Sequence, residues 1–213
     1  MNGSERVAWP SFRRSLVAIL RGITIDEVEP VVGALVEAGF EAIEIPLNSP
    51  APFRSIEAAV RLAPQTHYVG AGTVLSVEDV DRLAHVGGRL MVSPNVDPAV
   101  IGRALARGMV PMPGWGSVTE ALAGCAAGAR WLKLFPAASY GPRHLKMALD
   151  VLPKDVVPVA VGGLGAADVG EWLKAGAKGF GVGGEFFRPG DTAETVAQKA
   201  QGFTTALRAA RAA

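Results

Sequence analysis

A lysine in the middle of an apolar run is the first residue that asks for a chemical reason. Lys133 sits in Trp131-Leu132-Lys133-Leu134-Phe135, where strand alternation puts both leucines on one face and Lys133 on the other with the aromatics. The leucines suit a helix layer, which leaves Lys133 facing inward. Buried lysines are uncommon. A desolvated ammonium has its pKa pushed down, and the neutral amine can attack a carbonyl to form a Schiff base. The competing reading is a buried ion pair with Glu44, which often adds little net stability. Glu44 faces inward by the same alternation, with Ile43 and Ile45 toward the helices. A carboxyl there supplies the proton transfers that imine chemistry needs, or simply neutralises Lys133 and Arg21.

Two more polar groups fall at the ends of neighbouring apolar runs. Arg21 follows Val17-Ala18-Ile19-Leu20 and can hold a carboxylate bidentately; alternatively it pairs with Glu44. Thr73 shares a face with Val69 and Ala71 and could hydrogen-bond that carboxylate, or be present for strand propensity. Lys133, Glu44, Arg21 and Thr73 are therefore expected to converge on one interior. Two glycine pairs, Gly162-Gly163 and Gly183-Gly184, end later apolar runs. Either pair could merely turn a corner, but two at adjacent strand ends favour a phosphate cradled by backbone N–H groups. Trp115 is read as a wall of the pocket, and Glu185 is expected to face away from the anion.

Other candidates carry less. Gly70-Ala71-Gly72 lacks the later glycine of a dinucleotide motif. His67, His85 and His144 show no metal-ligand spacing, so metal-dependent chemistry is disfavoured and no cofactor is expected. Cys125, Trp9 and Trp172 are read as packing residues.

The elements that must position these groups repeat. Strands are predicted at Ser15–Leu20, Ala42–Leu47, His67–Thr73, Arg89–Pro94, Met109–Pro113, Trp131–Phe135, Pro158–Gly163 and Gly179–Gly184. Helical patterns fall at Asp26–Ala38, Ala51–Leu62, Val77–His85, Pro98–Arg107, Val118–Ala127, Pro142–Leu149, Ala166–Ala175 and Thr192–Leu207. Gly39, Gly108, Gly128 and Gly176 stand at left-handed helix ends, and Ser117 with Glu120 has capping-box spacing. Eight strand–helix units predict a single α/β domain over residues 1–213, a (β/α)8 TIM barrel. An open doubly wound sheet is the alternative. Residues 1–14 are an extension, expected to form a short helix over one barrel end.

The 213 residues include 21 Lys+Arg and 20 Asp+Glu, a net charge of +1 that gives no footprint for nucleic acid or an anionic membrane. One cysteine excludes an internal disulfide and fits a reducing compartment. No apolar run spans a bilayer, and the first residues lack the apolar core of a secretory signal. A cytoplasmic protein is expected.

Val17-Ala18-Ile19-Leu20-Arg21-Gly22, the EIPLNSP stretch at Glu44–Pro50, Gly70-Ala71-Gly72-Thr73-Val74 and Lys133-Leu134-Phe135-Pro136 occur together. As a set they resemble the class I 2-keto-3-deoxy-6-phosphogluconate / 4-hydroxy-2-oxoglutarate aldolase family, and EIPLNSP looks most like its phosphogalactonate branch. The similarity runs from about Ser15 to about Phe203. It implies Lys133 as the Schiff-base lysine, Glu44 as general acid/base, and Arg21 and Thr73 at the pyruvate end. It also implies Pro94 and Phe135 as pocket walls, and phosphate at Gly162, Gly163, Gly183 and Gly184. A metal-free homotrimer is implied, cleaving a phosphorylated 2-keto-3-deoxy sugar acid to pyruvate and glyceraldehyde 3-phosphate. The gluconate epimer and hydroxy-oxoglutarate remain alternative substrates, and a phosphate-binding isomerase or epimerase is an alternative of another class. Gly184 departs from the family, which often has serine there, and Trp115 replaces a smaller residue.

Overall fold

Strands and helices alternate from end to end of the computed structural model, which describes residues 9–12 and 15–212. In order they are β1 (Leu16–Ile19), α1 (Ile25–Glu37), β2 (Ala42–Pro46), α2 (Pro52–Leu62), β3 (Tyr68–Gly72), α3 (Val77–His85), β4 (Leu90–Val92) and α4 (Pro98–Ala106). Then come β5 (Val110–Met112), β6 (Gly114–Trp115), α5 (Val118–Ala126), β7 (Trp131–Leu134), α6 (Ala137–Ala148), β8 (Val157–Val161), α7 (Val169–Lys174), β9 (Gly179–Val182) and α8 (Ala193–Ala212). The strands pair in the order β5-β4-β3-β2-β1-β9-β8-β7-β6, always parallel.

Nine strands make an eight-stranded ring because β5 and β6 are two halves of one strand bent at Pro113. On one side Ser93 N–H donates to Met112 O at 3.4 Å; on the other Lys133 N–H donates to Pro113 O at 2.9 Å and Phe135 N–H to Trp115 O at 3.0 Å. One segment thus takes both free edges of the sheet, and the open-sheet alternative is set aside. The predicted Met109–Pro113 strand is both shorter and continued beyond its expected end, because Pro111 and Pro113 have no N–H to donate. Gly114 completes the seam: a methyl group there would strike the carbonyl of Pro94.

Parallel partners share a face, so the register sorts every strand residue. Ile19 pairs with Glu44, Glu44 with Gly70, and Pro46 with Gly72. Gly114 pairs with Lys133, Lys133 with Val159, and Val161 with Gly181. Ile19, Glu44, Gly70, Lys133, Val159 and Gly181 therefore share the inward face. Ile43, Ile45, Leu132 and Leu134 belong to the opposite face and are wholly buried under the helices. Fully burying such a side chain stabilises the fold by about 1.5–3 kcal/mol.

Local signals explain the helix ends. Gly39, Gly108, Gly128 and Gly176 take positive φ, from 74° to 103°. Ser117 and Glu120 exchange the expected reciprocal bonds. Two helices differ from expectation. The helix predicted from Pro142 begins at Ala137 but breaks at Gly141 (φ 78°, ψ 161°), since a residue before proline is pushed out of the helical region. The one predicted over Ala166–Ala175 opens as a 3₁₀ turn, Ala166–Asp168, before α7. The expected N-terminal helix is not seen in residues 9–12, and the rest of that extension lies outside the described residues. Phe12 meets Tyr68 and Trp131 edge-to-face at 5.3 and 5.0 Å, closing the barrel floor where β3 and β7 begin. No described helix is long and apolar enough to cross a membrane.

Candidate active site

The C-terminal ends of the strands surround a cavity of about 280 Å³ that brings together residues from β1, β7, β8 and β9. Arg21, Lys133, Phe135, Gly162, Gly163, Gly183 and Gly184 all line it, as expected. A larger cleft of about 510 Å³ lies at the opposite end, between the starts of β2 and β3 and the C-terminal half of α8. The convergence of a lysine, an arginine and two glycine loops selects the smaller cavity.

Lys133 is 6% exposed and Glu44 1% exposed. Burial pushes the Lys133 ammonium below its ordinary pKa; the Glu44 charge works against that and the Arg21 charge adds to it. Burial likewise pushes the Glu44 carboxyl up, opposed by Lys133 and Arg21. Among the described residues neither group is in ion-pair contact with anything. Glu44 Oε2 has no hydrogen-bond partner there either. The simple buried ion pair is therefore not what the structure builds. The two groups influence each other's charge without touching, and the Lys133 Nζ stands 4.7 Å from the centre of the Phe135 ring.

Gly72 carries no signal of its own in the sequence, yet it makes the position of Glu44 possible. It lies on the inward face beside β2, and a methyl group there would collide with Glu44 Oε2. Arg21 reaches the cavity from the loop after β1 and donates from Nη1 to Asn48 Oδ1 at 2.6 Å. Asn48 is a second residue whose part the sequence does not disclose.

Three expectations need correction. Trp115 does not wall the cavity: it pairs with Leu134 on the helix-facing side, is 1% exposed, and its ring lies 5.9 Å from that of His144. Val69 and Ala71 pair with Ile43 and Ile45, so they too face the helices. The face shared by Val69 and Ala71 therefore does not carry Thr73 inward. Thr73 takes φ +58°, a costly conformation for a β-branched residue, and the chain leaves extended geometry there. Thr73 and Pro94 follow β3 and β4; like Glu44, they are not among the residues that line this cavity.

Glu185 is the third correction, because it lines the cavity rather than facing away. Phe186 and Phe187 are buried, and both their N–H groups donate to Gly183 O, so the chain turns sharply after Gly184. That turn leaves Glu185 at the rim, its Oε2 3.9 Å from where a methyl group at Gly165 would stand.

A closed parallel barrel with a buried lysine and carboxyl at the catalytic end defines the class: a (β/α)8-barrel enzyme. Residues 12–200 match the family model described as aldolase, KDPG and KHG aldolase. The chain belongs to the KDPG and KHG aldolase family, whose members are carbon–carbon lyases. It is 53% identical over 196 residues, 92% of each chain, to a probable 2-dehydro-3-deoxy-6-phosphogalactonate aldolase of Rhizobium meliloti (strain 1021). It is 46% identical to the 2-dehydro-3-deoxy-6-phosphogalactonate aldolase of Escherichia coli (strain K12), over 92% of this chain and 95% of that one. The solved native KDPGal structure superposes with a TM-score of 0.93 at 44% identity, covering 96% of this chain and 99% of its own.

Proposed function

We propose that this chain is a class I aldolase that cleaves 2-dehydro-3-deoxy-6-phospho-D-galactonate to pyruvate and D-glyceraldehyde 3-phosphate. The observation that carries the reading is Lys133: inward, buried, free of an ion pair and depressed in pKa. Two relatives near half identity named for that substrate support the choice of sugar acid.

The neutral Nζ of Lys133 adds to the C2 ketone, and loss of water leaves an iminium. Removal of the C4 hydroxyl proton lets the C3–C4 bond break, its electron pair moving into the iminium to give an enamine. Glyceraldehyde 3-phosphate departs, C3 takes up a proton, and water releases pyruvate from Lys133. Glu44 serves these proton transfers; its raised pKa brings it closer to the pH at which both forms are available. Arg21 takes the C1 carboxylate, and positioning of this kind lowers barriers by several kcal/mol, up to about 7–11. Thr73 and Pro94 frame the pyruvate end from neighbouring strand ends, and Phe135 packs beside Lys133. The phosphate is held by backbone N–H groups of Gly162, Gly163, Gly183 and Gly184. The whole chain works as one barrel domain in the cytoplasm and needs no metal or cofactor. It assembles as a homotrimer, consistent with the exposed Met147 near the end of α6 and the exposed Val151 just beyond it.

Borohydride reduction in the presence of pyruvate, followed by peptide mapping, places the adduct on Lys133. An unmodified Lys133, or full activity in Lys133→Ala, overturns the mechanism. Comparing cleavage of the two C4 epimers decides the substrate, with the galactonate epimer expected to be faster.

A further inference from the structure

The loop after β2 reaches across to Arg21 through a contact outside the bond-breaking chemistry. Arg21 Nη1 donates to Asn48 Oδ1 at 2.6 Å, and since a guanidinium only donates, the amide oxygen must face it. Both residues are exposed, and Arg21 lines the cavity. The backbones beneath them are tied residue by residue. Gly22 N–H donates to the buried Ser49 Oγ at 2.9 Å, and Ser49 N–H donates to Pro46 O at 2.9 Å. Leu20 N–H donates to Glu44 O at 2.9 Å. Asn48 is thus delivered to Arg21 by a fixed loop.

No carboxylate among the described residues is in ion-pair contact with Arg21. A neutral acceptor therefore directs the guanidinium and leaves it free of a direct ion pair. An acid in the same place would bind Arg21 more strongly, through charge-assisted hydrogen bonds that can become bidentate. It would also compete with an incoming carboxylate for the same donors.

We infer that Asn48 is a positioning residue that aims Arg21 at the substrate carboxylate without tying its guanidinium into an ion pair. This rests on the aldolase reading and on Arg21 as the carboxylate ligand. Asn48 acts through Arg21, so its effect belongs to recognition of the pyruvate end and to neither the phosphate end nor the bond-breaking step.

The test is steady-state kinetics of the full-length enzyme in the addition direction, varying pyruvate and glyceraldehyde 3-phosphate separately. Asn48→Asp is expected to raise the KM for pyruvate about tenfold or more, because its carboxylate occupies charge-assisted donors that pyruvate would otherwise take. Asn48→Ala, which removes direction but adds no charge, raises it less, by about threefold. In both variants kcat stays near wild type and the KM for glyceraldehyde 3-phosphate is unchanged. Arg21→Gln raises the pyruvate KM at least as much as Asn48→Asp, and combining the two adds nothing further. A wild-type pyruvate KM in Asn48→Asp overturns the inference, as does a loss that falls on kcat in both Asn48 variants. An unchanged pyruvate KM in Arg21→Gln removes Arg21 as carboxylate ligand, and the role of Asn48 falls with it while Lys133 chemistry stands. Failure of wild-type enzyme to trap pyruvate on Lys133 would instead remove the aldolase reading itself.

Discussion

The carboxylate of Glu44 lies in the space that a side chain at Gly72 would fill. Glu44 belongs to β2 and Gly72 ends β3, so the acid leans across the inward face onto its neighbour strand. Its direction is set by an absence of atoms at position 72 as much as by its own backbone.

Gly72→Ala therefore moves the carboxylate without altering its chemistry. The obstacle is the tip of a flexible side chain, so the fold yields easily while the proton transfer does not. We expect kcat to fall by about 10²-fold or more, the scale that positioned acid–base groups supply, with little change in thermal midpoint. Gly70→Ala is the contrasting variant, because its methyl group meets the Leu90 backbone; it should destabilise by about 1–3 kcal/mol. Full kcat in Gly72→Ala would show that the carboxylate position is immaterial.

In the proposed mechanism Lys133 must be neutral to attack, so trapping of pyruvate is expected to accelerate as pH rises through its pKa, which lies below the ordinary 10.5. The Glu44 charge holds the proton on Lys133, so Glu44→Gln moves the acid limb to lower pH. The Arg21 charge expels it, so Arg21→Gln moves the limb to higher pH, by less at high salt because Arg21 is exposed. The apparent pKa of borohydride trapping measures both shifts, and identical profiles in all three proteins would refute the coupling. Stability follows the same signs. Between the folded pKa of Lys133 and 10.5 the unfolded chain holds the extra proton, so stability rises with pH. Between 4.5 and the raised pKa of Glu44 the native state holds it, and stability falls as pH rises.

Glu185 places a negative charge on the rim of the proposed phosphate seat. Glu185→Gln is expected to lower the KM for glyceraldehyde 3-phosphate by about threefold to tenfold, since removing like-charge repulsion near a surface relieves about 1 kcal/mol. The KM for pyruvate, at the other end of the cavity, should not change. An unaltered phosphate-end KM would mean that the carboxylate turns to solvent when substrate binds.

Lys133 is legible in the sequence because a charged residue among Leu132, Leu134 and aromatics admits only one inward direction. The eight-unit repeat is equally plain, carried by glycines at helix ends and apolar runs between them. Alternation fails at Val69 and Ala71 because both faces of a parallel barrel strand are buried, so apolarity does not say which face is which. Only the pairing with Ile43 and Ile45 decides it. Trp115 escapes for a related reason, its direction depending on the Gly114–Lys133 register. Gly72 and Asn48 fall within motifs that mark the family, but those motifs do not disclose the part either plays. One acts by lacking a side chain and the other by being neutral, and both properties matter only against a partner brought close by folding.

The bend at Pro113 divides the ring into two arcs, Leu16–Met112 and Gly114–Val182, which meet again where β1 pairs with β9. Arg21 and Glu44 come from the first arc, whereas Lys133, Phe135, Gly162 and Gly163 come from the second, with Gly183 and Gly184 just past its end. Neither arc holds both the amine and its carboxyl, so turnover reports on the mutual docking of the two halves. A slip of one residue at the Pro113 seam would leave helix and strand content almost intact and separate the reacting groups. For this architecture, enzymatic rate is a finer gauge of correct assembly than any spectroscopic measure of secondary structure.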